Sequence, residues 1–307
     1  MDDQLILAPL RGVTGRTFRE TFSRHFAGLD EAVAPFIPTV EGTRVKPALL
    51  KDLRPGVASP PLVPQVLGRD PRAFRVMLGA LRELGFSHAN LNAGCPWPMV
   101  VKRGRGSGLL ANEAALAGML ETGCDVLGKN FSVKIRLGID DPTLLLRLMP
   151  LINKFPLEEL IIHPRTARQM YEGVADVEAF AQAAEACAHR VAYNGDIFSL
   201  DDFFRLKQRF PRITRWMIGR GVLRNPLLCE SIKLGRELPP DLPRVMAFHN
   251  EYLDAVCAEL SGDRPVLGRM KELWFYLHHA FPRGAKLLRA IQLCATVVDY
   301  RRMFEFN

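Results

Sequence analysis

Cys95 stands in Asn92-Ala93-Gly94-Cys95-Pro96, after a short apolar run and before a basic loop. A cysteine in such a turn can act as a nucleophile or as a proton donor. No paired base is apparent beside it, which favours proton donation, and a thiol near its reference pKa of about 8.5 keeps its proton at neutral pH. Lys134 is flanked by Val133 and Ile135 in a run that also carries Arg136. An ammonium on an inward strand face is costly to bury alone, so Lys134 is expected to face something anionic or polar. Asn194-Gly195-Asp196 and Gly219-Arg220-Gly221 each close a further apolar run. Glycines there let backbone approach a ligand, and backbone N–H groups beside Arg220 make a phosphate site. Gln65, Asn92, His163 and Arg165 hold comparable positions on or at the ends of other runs. Together they describe a flat cofactor with a phosphate tail. Flavin mononucleotide (FMN) suits it better than a dinucleotide, because the first run ends in Ala8-Pro9-Leu10-Arg11-Gly12 and lacks the Gly-rich fingerprint.

The elements that must hold these residues are strands alternating with helices. Strands are expected at Leu5–Ala8, Glu31–Pro35, Leu62–Leu67, His88–Asn92, Ser132–Leu137, Glu159–His163, Arg190–Asn194 and Thr214–Ile218. Helices are expected at Pro71–Leu84, Glu113–Leu127, Val177–Ala188 and Leu200–Phe210, the first opened by Asp70-Pro71. Glu41 to Pro61 reads as a Pro-rich loop with one helical turn. Eight β-α units in this length imply an α/β fold, a (β/α)8 TIM barrel with its active site at the C-terminal strand ends. After Pro239-Pro240 the pattern turns helical. Three apolar stripes follow: Phe248, Tyr252, Ala255 and Val256; Met270, Trp274, Leu277 and Phe281; Leu288, Ile291, Ala295 and Val298. They read as core. The division is therefore a barrel over 1–238 and a small all-helical domain over 239–307.

The chain of 307 residues has 41 Lys and Arg against 33 Asp and Glu, a net charge of +8, which fits a polyanionic partner. The excess lies in the first 240 residues, because nine basic and eight acidic residues follow Pro240. Pro96 to Gly106 holds Lys102, Arg103 and Arg105 and no acid. No apolar stretch is long enough for a membrane span, and the acidic Met1-Asp2-Asp3 start is not that of a secretory leader. Six cysteines are scattered without a C-x-x-C pair, so neither a disulfide frame nor a metal site is expected and a reducing cytoplasm fits.

At these residues the chain resembles the tRNA-dihydrouridine synthase family over essentially its whole length. The resemblance is carried by an ordered series. It runs from Ala8-Pro9-Leu10-Arg11-Gly12-Val13-Thr14 through Asn92-Ala93-Gly94-Cys95-Pro96 and Gly104-Arg105-Gly106-Ser107-Gly108-Leu109-Leu110 to Ser132-Val133-Lys134-Ile135-Arg136-Leu137-Gly138. Ile162-His163-Pro164-Arg165-Thr166, Gln169-Met170-Tyr171-Glu172-Gly173, Asn194-Gly195-Asp196-Ile197 and Met217-Ile218-Gly219-Arg220-Gly221 complete it. The resemblance implies FMN held by Pro9, Leu10, Arg11, Gln65, Lys134, His163, Asn194, Gly195, Asp196, Gly219 and Arg220. It implies Cys95 as proton donor to uracil C5, with Asn92, Arg165 and Tyr171 near the uracil. NADPH would reduce the flavin, which would give hydride to C6, and the uridine must leave its stack. The helical tail would bind RNA, with Lys102, Arg103, Arg105, Arg269, Lys271, Arg283, Lys286 and Arg289 on the phosphates of tRNA. A cytoplasmic monomer is expected. Two positions depart from the family pattern: Leu10, where Met is more usual, and Pro164, where Gly is more usual and where proline removes a backbone N–H. Reduction of a free pyrimidine or an enone is the alternative on the same residues, as is action on another RNA.

Overall fold

The computed structural model describes residues 3–40, 42, 44–53 and 60–305. Part of the expected loop, namely 41, 43 and 54–59, lies outside them, and a 3-10 helix occupies Pro47–Leu53. Ten short strands form one parallel sheet: β1 (Gln4–Leu7), β2 (Glu31–Val33), β3 (Ile37–Pro38), β4 (Leu62–Val63), β5 (Gln65–Leu67), β6 (Ala89–Ala93), β7 (Phe131–Gly138), β8 (Glu159–Thr166), β9 (Arg190–Tyr193) and β10 (Arg215–Ile218). Their order is β3-β5-β6-β7-β8-β9-β10-β1-β2-β4. Both ends of that order are the same pair of chain segments, since β2 runs on into β3 and β4 into β5. The sheet is therefore closed, with eight staves.

The expected strands Glu31–Pro35 and Leu62–Leu67 are each interrupted. Pro35 and Pro64 lack the N–H that a ladder needs. The register also slips: Val33 pairs with Val63 and Ile37 with Val66, so the second stave carries one extra residue. That bulge swings the following segment, and Phe36 within it lines the barrel mouth. The other staves are buried on both faces, as parallel strands covered by helices must be. Ile6, Val33, Ile161, Ala192 and Met217 fill the barrel interior.

The covering helices start on side-chain caps. Asp70 accepts from the N–H of Ala73 for Pro71–Glu83, Asn112 from Ala115 for Glu113–Leu127, and Asp176 from Glu178 and Ala179 for Val177–Ala186. Ser199 and Asp202 form a capping box for Leu200–Arg209. The bottom of the barrel is closed by charge. Arg215 bonds Glu159, donates to Gln4 Oε1 at 2.7 Å and to Glu31 at 3.1 Å, while Arg190 reaches Glu158 at 3.0 Å. Each of these acids meets an arginine, which marks that end as structural.

Beyond residue 240 the chain is helical: Leu242–Glu259, Asp263–Leu277, Gly284–Leu293 and Val297–Glu305. None of the helices among the described residues is long and apolar enough to cross a membrane. Phe248 and Tyr252 pack edge-on against Phe18 of helix Arg16–His25 at 5.8 and 5.9 Å. The tail and the barrel thus share one continuous apolar core. The first two stripes are buried as expected, with Ala255 and Phe281 only half-buried. The third is not one stripe. The helix ends at Leu293, Ala295 and Val298 are exposed, and Tyr300 on the next helix fills the core instead.

The Tyr300 hydroxyl takes the indole N–H of Trp274 at 2.6 Å and meets His249 Nε2 at 2.6 Å. His249 Nδ1–H donates to Asn250 Oδ1, so Nε2 accepts from the Tyr300 hydroxyl. Burial holds that imidazole neutral, with its pKa lowered to about 4. Tyr300→Phe leaves two buried polar groups without a partner at almost unchanged shape. It should cost on the order of 1–3 kcal/mol for each. Chemical denaturation measures this, and a wild-type midpoint would remove the network from the stability of the tail.

Candidate active site

The C-terminal ends of the strands surround an open cleft. Pro9, Leu10 and Arg11 after β1, Asn92 and Cys95 at the end of β6, and Lys134 on β7 line it. His163 on β8, Tyr171 beyond it, Asn194 and Gly195 after β9, and Gly219 and Arg220 after β10 complete the set of expected residues in the wall. The sequence reasoning missed Phe36, Trp97, Arg136 and Tyr276 as lining residues. Arg136 was legible, because it lies two residues from Lys134 and shares its strand face. Tyr276 comes from helix Asp263–Leu277, so the tail builds part of the cleft.

Cys95 is 7% exposed and fixed from three directions. Its N–H donates to Asn92 Oδ1 at 2.8 Å, and its carbonyl takes Ser107 N–H at 3.1 Å. Gly106, at φ +57°, lies flush against it, where an added Cβ would come within 2.7 Å of the Cys95 Cβ. Burial pushes the thiol pKa up, against the pull of the Trp97 N–H and of Arg136, Arg11 and Lys134. The sulfur is therefore a protonated thiol at neutral pH. Gln65 does not face the cleft. It is fully buried beneath it, takes the Asn92 amide at 2.7 Å and donates to Asn90 at 2.7 Å. Its role in this geometry is to orient Asn92, which in turn shapes the Cys95 turn.

Lys134 is half-buried, and no ion pair among the described residues includes it. Burial, then the neighbouring Arg136, lower its pKa to about 7. Arg136 is itself lowered to about 10 by burial and donates to the carbonyls of Thr166 and Met170 at 2.8 and 2.7 Å. His163 is held neutral, by burial first and then by Arg136, Lys134 and Arg165. Its tautomer follows from its partners. Arg165 can only donate, so His163 Nε2 accepts from it at 3.4 Å and Nδ1–H donates to Asn194 Oδ1 at 3.3 Å. The Asn194 amide then donates to Met217 O at 2.8 Å.

Arg165 lies behind the wall, 1% exposed. Its Nε reaches Glu172 O, one terminal nitrogen reaches His163 and Asp196, and the other reaches Gly173 O and Asp196. All five of its donors are occupied, so it positions the wall rather than touching a guest. Asp196 likewise faces the arginines: it accepts from Arg165 at 2.5 Å and from Arg220 at 2.7 Å. Arg220 stacks on Tyr171 at 5.1 Å and on Phe198 at 5.3 Å, and Arg136 covers Tyr171 at 5.3 Å. Tyr171 follows Met170, whose φ of +51° turns the loop and sets the ring on the rim. Gly195 has a reason different from the one expected. A Cβ there would strike the Tyr193 hydroxyl at 2.2 Å, so the protein's own packing requires it.

Of the basic residues expected on RNA, Lys102, Arg103, Lys286 and Arg289 are exposed and Arg105 is half-buried. Lys271 is committed elsewhere. Its ammonium donates to the carbonyls of Gln292 and Cys294 at 3.0 and 2.8 Å, capping the end of helix Gly284–Leu293.

Comparison with known proteins adds to this geometry. Among solved structures, morphinone reductase superposes with a TM-score of 0.55 at 11% identity, covering 78% of this chain and 88% of that one. The old yellow enzyme from Trypanosoma cruzi gives 0.53 at 12% identity, covering 81% and 94%. At such identities these agree on the barrel fold alone. By sequence, the tRNA-dihydrouridine(16) synthase of Ralstonia nicotianae is 28% identical over 94% of this chain and 91% of its own length. The tRNA-dihydrouridine synthase B of Pseudomonas aeruginosa is 29% identical over 94% and 88%. The family model described as dihydrouridine synthase matches residues 6–304. Matched by that model almost end to end, this closed parallel barrel with a buried thiol and a lysine at its mouth belongs to the dihydrouridine synthase family.

Proposed function

We propose that the protein reduces uridine to 5,6-dihydrouridine in tRNA in the cytoplasm, with FMN as bound cofactor, NADPH as electron donor and Cys95 as proton donor. The observation that carries this reading is the pairing at one cleft floor of a protonated, backbone-pinned thiol with a lysine that has no carboxylate partner among the described residues. The cleft fits FMN on its own chemistry. A cationic floor at Lys134 suits the electron-rich edge of a flavin ring, and Arg220, which lines the cleft beside Gly219, suits a phosphate.

FMN, when bound, supplies hydride chemistry, carrying two electrons from NADPH to uracil C6. The chain's own residues do the rest. Cys95 Sγ gives its proton to C5, so the net addition is one hydride and one proton. The thiolate left behind is stabilised by Arg136, Arg11 and Lys134 and regains a proton from water through the open cleft. Asn92 fixes the direction of Sγ, and Tyr171 and Tyr276 bound the space that a flipped base enters. In this reading 1–238 is the catalytic barrel and 239–307 contacts RNA, and the protein acts as a monomer. Lys102, Arg103, Arg105, Lys286 and Arg289 make no ion pair among the described residues, which leaves their charge available to phosphates.

Three outcomes are expected. Cys95→Ala should keep bound FMN and NADPH oxidation while dihydrouridine formation falls roughly 10²- to 10⁴-fold, the worth of a general acid. Nucleoside mass spectrometry of treated tRNA reads this, and wild-type yields would place the proton source elsewhere. Lys134→Met should lose most of the flavin. In the wild-type protein, flavin affinity should weaken as pH rises through about 7, because the ammonium that favours an anionic guest is then lost; a fluorescence titration in which the variant keeps that pH dependence would refute the assignment. Lys286 and Arg289 are three residues apart and share a helix face. Neutralising both should weaken tRNA binding and reduce its salt dependence by about two counterions with flavin content unaltered, whereas an unaltered salt slope would move the RNA site onto the barrel.

A further inference from the structure

Of three tryptophans, Trp216 and Trp274 are fully buried. The third, Trp97, is 57% exposed, and Met99 beside it is 66% exposed. Trp97 lines the cleft two residues beyond Cys95. Its backbone is fixed. Prolines flank it at 96 and 98, and its carbonyl takes Val100 and Val101 N–H at 2.8 and 2.9 Å. Its indole is not fixed by anything comparable. Among the described residues it enters no ring stack, cation–π contact or hydrogen bond. A large apolar ring mounted rigidly in water marks a binding surface more than a folding element.

The charge around it says what binds. From Gly94 to Asn112 the chain has no Asp or Glu and carries Lys102, Arg103 and Arg105. Arg69 lies against the same loop, 3.6 Å from the place of a Cβ on Gly104. An exposed aromatic set among uncommitted cations is the arrangement that holds unpaired nucleotides, bases on the ring and phosphates on the charges.

We infer that Trp97 is a stacking platform for an unpaired nucleobase of the RNA, the one adjoining the uridine that enters the cleft. The position follows from the shared backbone. A uracil with C5 in reach of Cys95 Sγ occupies the cleft floor, and Trp97 lines the same cleft two residues beyond that sulfur. The neighbouring base then emerges at the lip where the indole stands. Trp97 thereby selects substrates whose target uridine is flanked by a base free to unstack, as in a loop, and disfavours uridines inside a helix. This rests on the uridine reduction proposed above.

The test uses the holoenzyme and its own fluorescence, since Trp97 is the tryptophan that acrylamide reaches. Unmodified tRNA and a short single-stranded RNA should both quench Trp97 emission and shield it from acrylamide, and a duplex of the same length should do neither. Trp97→Ala should raise KM for tRNA on the order of 10- to 100-fold, the fold-change of one base–aromatic contact, with bound flavin unchanged. Trp97→Phe should recover most of that loss, and Trp97→Leu, apolar but unable to stack, should recover little. Equal quenching by duplex, or a KM within about twofold of wild type in Trp97→Ala, overturns the inference. Full recovery by Trp97→Leu also overturns it, in favour of an apolar protein contact. Should the wild-type protein form no dihydrouridine, the function above fails while the quenching titration still reads the platform.

Discussion

Five cations, Arg11, Lys134, Arg136, Arg165 and Arg220, converge on the barrel mouth, and among the described residues Asp196 pairs with two of them. Arg165 and Arg220 share its oxygens, while Arg136 is held by backbone carbonyls and Lys134 by no acid among the described residues. In a partly desolvated cleft such an excess costs free energy that proton release or a bound anion can relieve. Both answers are written into the site: His163 is neutral, and the Lys134 pKa sits at about 7. The mouth is therefore set to accept negative charge, and the protonated Cys95 stands within that field.

The opposite end of the barrel shows how the same chain handles charge when no guest is intended. Arg215 and Arg190 meet Glu31, Glu158 and Glu159 directly. The two ends thus differ in how fully their charges are paired. A matched network ties strand starts together, whereas the unmatched one is tolerated because the surrounding elements over-determine it. The five-fold commitment of Arg165 is the clearest such restraint, since it binds the loop that carries Tyr171 to the strand end that carries Asp196.

All eight staves were legible in the sequence as short β-rich runs, because a parallel barrel strand buries both faces and leaves an unbroken apolar signature. The break in the second and third staves is also written there, in Pro35 and Pro64, to which hydrophobicity alone is blind. Cys95 and Lys134 were legible because their types are out of place in such runs. The task of Arg165 was not. Its partners include the carbonyls of Glu172 and Gly173, and a backbone acceptor leaves no trace in residue type. Tyr276 was equally hidden, because its place in the cleft depends on how helix Asp263–Leu277 crosses the barrel. The third apolar stripe failed for a related reason. Periodicity continued across residues 294–296, where the helix itself stops.

Closing the barrel has a consequence for how the protein is made. β1 pairs with β10, and Gln4 lies beside Arg215, 211 residues away along the chain. Contacts of such separation form late and slowly. On a ribosome adding about 5–20 residues per second, the first strand waits roughly 10–40 s before its partner exists. Throughout that interval Leu5, Ile6 and Leu7, fully buried in the finished fold, present an open strand edge to the surrounding cell. The tail that supplies Tyr276 emerges later still. The nascent chain therefore exposes that edge for most of the barrel's synthesis, and its cleft is complete only once helix Asp263–Leu277 has packed onto the barrel.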